Sequence, residues 1–249
     1  QWLYDVDNLV EEINSNLDLT YDGQTGAVVA TLGGRGTGDS FDGDVAEIIA
    51  YSERISDIQY LILQNYLNAR YGISTSNEFY AGDGNGNGDA DFGVFGIGQN
   101  TGGQNVTTSN KDGLSLTVNS GLDNGDYVFA GYTTTTLSSN SVISNDILVA
   151  GSTLQGRMKR AWYIDKTDAN TALTTDIAFD FNAAGTDIPD LSAAVLGGYK
   201  LLYRAGTTGE WTIVAATATS VDNGDKTVTF SNQPITNDGY YALATSDAA

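Results

Sequence analysis

The sequence Asp222-Asn223-Gly224-Asp225-Lys226-Thr227-Val228-Thr229-Phe230 joins a tight-turn signal to a β-strand pattern. Asn-Gly pairs favour the left-handed backbone angles that two-residue hairpin turns need. The residues after the turn alternate between polar and apolar side chains, as they do in a strand with one buried face. This stretch therefore predicts a β-hairpin.

The same pattern recurs along the chain after residue 110. Runs of strand length separated by Gly, Asn, Asp or Ser predict strands at 114–118, 127–132, 160–167, 176–181, 199–204, 211–216, 226–230 and 240–245. The turn signal at 123–126 predicts that 127–132 returns beside 114–118 as a hairpin. Because no helical crossovers separate these strands, we expect a mainly β protein with an antiparallel β-sandwich of jelly-roll or immunoglobulin-like size.

One earlier segment has helical periodicity. Ser56 and Gln59 have the spacing of a capping box, and Gly72 supplies the stop. Apolar residues recur at helical spacing between them: Ile58, Leu61, Ile62, Tyr66 and Leu67. These signals predict one short α-helix. For residues 7–13 two alternatives stay open, a second helix with Leu9, Val10 and Ile13 on one face, or no helix.

A change of composition divides the chain into two predicted units. Between 75 and 110 the sequence becomes rich in Gly, Asn, Asp and Thr, which places a boundary near Gly72. The first unit, 1–72, has predicted strands at 27–32 and 45–51, too few to close a sandwich. We expect it to complete a sheet whose other strands lie upstream or in another chain, and we interpret Gln1 as an internal or processed start. The second unit, 73–249, is the β-sandwich with a Gly/Asn/Asp-rich entry loop.

Composition and charge exclude several functional classes. The chain has no cysteine and no histidine, which excludes thiolate nucleophiles, histidine relays and Cys/His zinc sites. Its 31 acidic and 11 basic residues give a formal net charge of −20, which opposes binding to nucleic acid and to anionic membrane surfaces. No apolar run reaches transmembrane length, so we expect no membrane insertion.

The sharpest chemical motif is Asp83-Gly84-Asn85-Gly86-Asn87-Gly88-Asp89-Ala90-Asp91. It places oxygen-bearing side chains at alternate positions and Gly at the sixth, as a tight loop around a hard cation requires. This spacing predicts a Ca²⁺ loop with five ligands: the side chains of Asp83, Asn85 and Asn87, the carbonyl of Asp89, and Asp91 directly or through water. Position twelve is Val94 rather than a bidentate Glu, which argues against an EF-hand. The alternative is a solvated loop without metal.

A local basic cluster has two interpretations. In the first, the cluster binds an acidic polysaccharide or a neighbouring subunit. In the second, its charges occupy the outward positions of a strand and prevent that strand from pairing at its edge. We favour the second. The cluster consists of Arg157, Lys159, Arg160 and Lys166.

Aromatic residues in the predicted strands pose a similar choice between stacking on sugar rings and packing in the core, and the core is the commoner place for them. They are Trp162, Trp211, Tyr240 and Tyr241. The many carboxylates point to no particular catalytic pair, so we expect no enzyme activity.

Residues 41–57 read Phe-Asp-Gly-Asp-Val-Ala-Glu-Ile-Ile-Ala-Tyr-Ser-Glu-Arg-Ile-Ser-Asp, and residues 66–73 read Tyr-Leu-Asn-Ala-Arg-Tyr-Gly-Ile. Together they resemble the closing strand, link and helix of a laminin-G/concanavalin-A-like lectin domain. Residues 94–98, 124–127, 160–163 and 238–241 resemble a β-rich module that follows such domains. The resemblance implies a secreted cell-surface protein of the Bacteroidota, of the kind exported by type IX secretion, with adhesin-like roles. This chain carries only the tail of the lectin-like domain.

Three functional hypotheses follow. The leading one is a non-catalytic secreted module, extracellular or on the cell surface, for adhesion or for binding a polysaccharide or surface protein, with Ca²⁺ stabilising one loop. The first alternative is a structural subunit of an extracellular filament or sheath, completed by other copies or upstream segments of the same polypeptide. The second alternative is a non-catalytic part of a carbohydrate-active enzyme.

Overall fold

The structure, a computed structural model, describes residues 2–6, 9–13, 34–35, 39–40, 44–49, 51, 53–133, 154, 156–167, 173–180, 196–215 and 217–246. The chain forms two compact units, Gln1–Ile55 and Ser56–Ala249. This division precedes the helix, whereas the composition change suggested a boundary after it, near Gly72. The helix therefore belongs to the same compact unit as the sandwich, and the lectin-like interpretation of 1–72 stays a prediction.

The described part of the first unit contains four short strands: β1 Trp2–Val6, β2 Leu9–Ile13, β3 Gly34–Arg35 and β4 Asp39–Ser40. β1 pairs with β2 and β3 with β4, both antiparallel. A helix over 7–13 is thus wrong. A partner strand outcompetes a helix of so few residues.

The predicted strand at 45–51 is not a strand in its described residues, 44–49 and 51. Val45, Ile48 and Tyr51 are exposed there, at 48%, 62% and 56% of their surface. Strand propensity depends on cross-strand packing, so a β-branched run without a pairing strand stays irregular. The other strand predicted in this unit, 27–32, lies outside the described residues.

The second unit contains helix α1, Asp57–Tyr71, followed by thirteen described strands. They are β5 Phe92–Gln99, β6 Asn105–Val106, β7 Thr108–Lys111, β8 Leu114–Ser120, β9 Tyr127–Tyr132, β10 Gly156–Arg157, β11 Trp162–Thr167, β12 Thr174–Asp180, β13 Tyr199–Arg204, β14 Thr212–Ala215, β15 Ser220–Asp222, β16 Thr227–Pro234 and β17 Gly239–Thr245.

These strands form two antiparallel sheets. The large sheet has eight strands in the order β14-β13-β17-β11-β9-β5-β6, with β10 also paired to β17. The small sheet has five strands in the order β15-β16-β12-β8-β7. The prediction of a mainly β, antiparallel sandwich with one short α-helix is confirmed.

The inner faces of the two sheets share one hydrophobic core. Trp162 and Ile164 of the large sheet are fully buried, as are Phe179 and Phe230 of the small sheet. The rings of Trp162 and Phe179 meet edge to face, with their centroids 5.6 Å apart. Alternation along each strand produces this core, because every second side chain points inward.

The outer face of the large sheet is also covered. Phe129, Tyr163 and Leu202 belong to a second buried cluster with Ile58 of α1 and Tyr80. The unit therefore has three layers: α1 with the segment after it, the large sheet and the small sheet. The Ser56–Gln59 capping box and the left-handed Gly72, with φ +67°, begin and end α1 as predicted.

Two turn signals have different outcomes. The hairpin at 222–225 is confirmed: Val221 of β15 pairs with Val228 of β16, and the Gly224 amide donates to Asp222 Oδ1 over 2.7 Å. The hairpin at 123–126 is wrong, because β8 lies in the small sheet and β9 in the large one. β8 already has β7 and β12 on its two sides, so the chain crosses between the layers instead.

Candidate functional site

The motif at 83–91, called here the acidic loop, follows α1 and leads into β5. Its middle is a short 3-10 turn, Asn85–Asn87. Gly88 and Asp89 then adopt left-handed angles, with φ of +93° and +54°. Asp tolerates this region better than most residues, and Gly has no steric penalty there. The chain therefore reverses direction at Gly88, the sixth residue of the motif, where the motif predicts a tight turn.

The acidic loop is fastened to the large sheet. The Tyr240 hydroxyl on β17 donates to the Asn87 carbonyl over 2.5 Å, and Asn87 Nδ2 donates to the Ala81 carbonyl over 2.7 Å. The Tyr80 hydroxyl donates to the Ala90 carbonyl over 2.8 Å. Tyr240 and Tyr80 thus satisfy two backbone carbonyls of the loop, and the Asn87 side chain satisfies a carbonyl of the segment before it.

Close packing requires glycine at the contact points. A Cβ at Gly88 would meet the Tyr240 hydroxyl at 2.6 Å, and one at Gly131 of β9 would meet the Ala90 carbonyl oxygen at the same distance. By contrast, a Cβ at Gly86 would meet nothing within 4 Å. Gly88 and Ala90 are thus pressed against the sheet, while Gly86, in the middle of the 3-10 turn, faces open space.

The loop carboxylates raise one another's pKa. Burial raises the pKa of Asp83, and the charges of Glu78, Asp91 and Asp89 raise it further, against a lowering hydrogen bond from its own backbone. Burial likewise raises the pKa of Asp91, with Asp89 adding to the shift and Arg70 opposing it. The motif therefore contains a real concentration of negative charge. Glu78, just before the loop, belongs to that field and was not among the residues predicted from sequence.

One oxygen of this group lacks a hydrogen-bond partner among the residues that the structure describes. Asp91 Oδ1 is buried and makes no hydrogen bond within the described residues. A buried acceptor without a donor is costly, and a hard cation is one group that satisfies such an oxygen. The carboxylate and amide oxygens of the loop are also the kinds of ligand that calcium prefers.

The side chains of the loop converge on a single metal position less closely than the motif predicts. Among the described residues, no three carboxylates lie close enough together to form a metal site. The Asn87 amide nitrogen is bonded to Ala81, which leaves its Oδ1 as the side-chain ligand, and Asn85 is exposed on the 3-10 turn. Asp83, Asp89 and Asp91 interact electrostatically, but calcium ligation by the five predicted residues stays a prediction.

A buried acidic residue outside the loop, Asp165, contacts the segment that leads into the loop. Asp165 on β11 is 6% exposed, and its Oδ2 accepts from the Ala81 amide over 2.5 Å. Burial raises the pKa of Asp165 to about 6; the Ala81 bond lowers it, while the charges of Asp238 and Asp83 raise it. Sequence reasoning missed Asp165. The available signal was its position two residues after Tyr163, on the strand face opposite Trp162 and Ile164.

The basic cluster does not form a cationic surface. Arg160 is 1% exposed, stacks on the Tyr132 ring at 3.6 Å and donates to the Asp112 carbonyl over 2.9 Å. Arg157 lies over Trp211, 5.1 Å from the ring centroid. Two of the four cations therefore hold aromatic rings inside the fold, a role that neither interpretation included.

The strand aromatics pack inside the protein, as favoured from sequence. Their exposed fractions are 0% for Trp162, 1% for Trp211, 3% for Tyr240 and 4% for Tyr241. Such side chains cannot stack on a sugar ring without local opening. A polysaccharide that binds this unit would therefore contact other residues than these four.

The described part of the chain contains no helix that combines the length and apolarity needed to cross a membrane. Comparison with known proteins gave no match to a protein-family model, to a curated protein or to a solved structure.

Proposed function

We propose that this chain is a non-catalytic module of a secreted or cell-surface protein that binds a polysaccharide or a surface protein, and that calcium rigidifies its acidic loop. The observation that carries the proposal is the fastening of the acidic loop onto the large sheet. Loops held by a rigid sandwich are common binding elements, because the scaffold limits the entropy lost on binding.

Calcium fits the electrostatics of the loop. Asp83, Asp89 and Asp91 repel one another, and Asp91 Oδ1 is buried with no hydrogen-bond donor in the described part of the chain. A bound cation would relieve both costs and would hold the loop in one conformation. Asp83, Asn87 and Asp91 are the residues that would supply side-chain oxygens first.

The buried acid Asp165 does not favour catalysis over this proposal. A raised pKa suits a general acid, but such an acid must reach its substrate. Asp165 is 6% exposed and its carboxylate is bonded to the Ala81 amide. Its position suits a structural link between the sheet and the segment before the loop.

A glycan array, extended with candidate surface proteins, tests the proposal directly. We expect ligands whose binding disappears with a calcium chelator and in Asp83→Ala, but persists in Asp225→Ala, which alters a second acidic turn. Binding that survives both the chelator and Asp83→Ala would contradict the assigned role of the loop. Glycoside turnover by the purified chain would contradict the non-catalytic assignment.

The edge of the large sheet favours a second candidate, a structural subunit that assembles through strand addition. Within the described residues β14 pairs with β13 alone, and its Ile213 and Val214 are 36% and 47% exposed. An edge strand with exposed apolar residues and no lysine or proline is a template for pairing.

Concentration-dependent assembly separates this candidate from the first. If β14 is the assembly edge, larger species should form as the protein concentration rises, and Val214→Lys should abolish them. A chain that stays monomeric at high concentration would rule the candidate out. Assembly unaffected by Val214→Lys would place the contact elsewhere.

A further inference from the structure

We propose that Asn85 is a site of spontaneous deamidation, which converts it to aspartate or isoaspartate and adds a carboxylate to the acidic loop. The backbone nitrogen of Gly86 attacks Asn85 Cγ and forms a cyclic imide. The bond from Cγ to the side-chain nitrogen breaks, and ammonia leaves with the proton from the Gly86 amide. Water then opens the imide. Glycine favours the attack because it has no side chain to hinder it.

The sequence alone does not select Asn85, since four asparagines precede a glycine: Asn85, Asn87, Asn124 and Asn223. Attack requires that the side chain can turn toward the following amide and that this amide is available. The structure separates the four residues by these two conditions.

Three of the pairs are restrained by hydrogen bonds. The side chain of Asn87 is held by its bond to the Ala81 carbonyl, 2.7 Å long. In the Asn124 pair, the Gly125 amide donates to the Gln99 carbonyl over 2.8 Å. In the Asn223 pair, the Gly224 amide donates to Asp222 Oδ1 over 2.7 Å.

In the Asn85 pair the restraint is indirect, since the turn around it is closed by the Asn87 amide, which donates to the Gly84 carbonyl over 2.7 Å. The Asn85 side chain is exposed on the 3-10 turn, and neither that side chain nor the Gly86 amide makes a hydrogen bond to the described residues. A Cβ added at Gly86 would meet no described atom within 4 Å beyond its chain neighbours. Each of the other three pairs must first break a hydrogen bond made by one of its two reacting groups, which slows its reaction by up to about tenfold relative to Asn85.

The product would change the charge of the loop. Conversion of Asn85 to aspartate places a further carboxylate beside Asp83 and Asp89, at a position where the motif predicts a calcium ligand. That consequence rests on the proposed function, whereas the modification itself depends only on the conformation of the loop.

Peptide mapping by mass spectrometry tests the proposal on the full chain. The folded protein is held at mildly alkaline pH and 37 °C, and conversion at each of the four Asn-Gly pairs is followed with time. We expect Asn85 to convert first, by up to about tenfold over the other three. In urea, where the hydrogen bonds are lost, the four rates should converge.

Two variants test the assignment at its two reacting residues. Gly86→Ala fits the open space and should slow conversion at Asn85 while leaving the other three rates unchanged. Asn85→Gln should remove the early product. The proposal is overturned if Asn87, Asn124 or Asn223 converts as fast as Asn85 in the folded chain, or if Asn85 leads by the same factor in urea.

Discussion

At the scale of single residues, Gly88 combines a left-handed backbone with close packing against Tyr240. Alanine there requires an unfavourable φ and a contact with the Tyr240 hydroxyl, so Gly88→Ala should lower the free energy of unfolding by about 1–3 kcal/mol. Denaturant unfolding measures the loss. Gly86→Ala is the matched control two residues away, and an equal loss in both variants would contradict the fastened loop.

Asp165 gives the fold a pH dependence of known sign. Its folded-state pKa of about 6 lies above the ordinary aspartate value. Because the unfolded value is about 4, the folded state binds the extra proton between about pH 4 and pH 6. This carboxyl therefore favours folding in acid, and its contribution is lost as the pH rises through 6.

Asp165→Asn should accordingly stabilise the protein at neutral pH. The amide oxygen can still accept from Ala81, while the buried charge is removed. We expect a gain on the order of 2 kcal/mol at pH 7.5 that fades toward pH 4. Denaturant unfolding across this range measures it, with exposed Glu210→Gln as the control. Destabilisation by Asp165→Asn at neutral pH would show that the charged Ala81 bond outweighs desolvation.

Arg160 acts through its planar guanidinium, which stacks on Tyr132 and donates to the Asp112 carbonyl. Lysine keeps the charge but loses the flat stacking surface and the fixed donor geometry. Arg160→Lys should therefore lower the free energy of unfolding by about 2 kcal/mol. Exposed Lys159→Ala should change it little. If the two substitutions have equally small effects, Arg160 lies on the surface, as the sequence suggests, and its buried role is contradicted.

At the scale of elements, α1 is part of the sandwich unit. Ile58 is fully buried in the cluster with Phe129 and Leu202, so Ile58→Ala should destabilise the sandwich by about 2–5 kcal/mol. In a Trp2→Phe background, fluorescence reports only Trp162 and Trp211, which both lie in this unit. Exposed Val45→Ala is the control. An unchanged tryptophan transition in Ile58→Ala would place α1 outside the unit.

Local signals in the sequence predicted the elements well where neighbouring residues decide the structure. The capping box begins α1, and the strands at 127–132 and 199–204 have the predicted bounds. The sheet assignment of β8 and β9 was not predictable, because the Asp-Asn-Gly-Asp signal is the same for a hairpin and for a crossing. The run at 45–51 failed because a strand needs a partner that local sequence does not specify.

In the candidate site, too, the sequence predicted the local features but not the contacts between distant residues. The turn at Gly88 followed from the motif, since a positive φ is a local requirement. Asp165 and Tyr240 contact the loop or the segment before it through the tertiary fold, at separations of up to 153 residues along the chain. No spacing rule connects positions so far apart, so these partners emerged only from the structure.

At the scale of the whole molecule, the net charge of −20 makes general screening a competing explanation for any effect of calcium. Added salt screens repulsion between exposed carboxylates wherever they lie. A loop-specific site must therefore be separated from screening by its saturation and by its dependence on one residue. Asp83 serves this purpose, because its removal relieves repulsion with Glu78, Asp91 and Asp89.

Asp83→Ala is therefore expected to be at least as stable as the natural chain in chelator, yet to gain nothing from calcium. A destabilised fold cannot produce this combination of results.

Calcium titration followed by thermal melting and calorimetry, with sodium chloride at matched ionic strength, measures the central claim most directly. The account predicts saturable heat and a rise in Tm of about 2–4 °C per kcal/mol of binding, both absent in Asp83→Ala and unmatched by sodium chloride. No saturable heat, or an equal rise in Tm with sodium chloride and in Asp83→Ala, would contradict it.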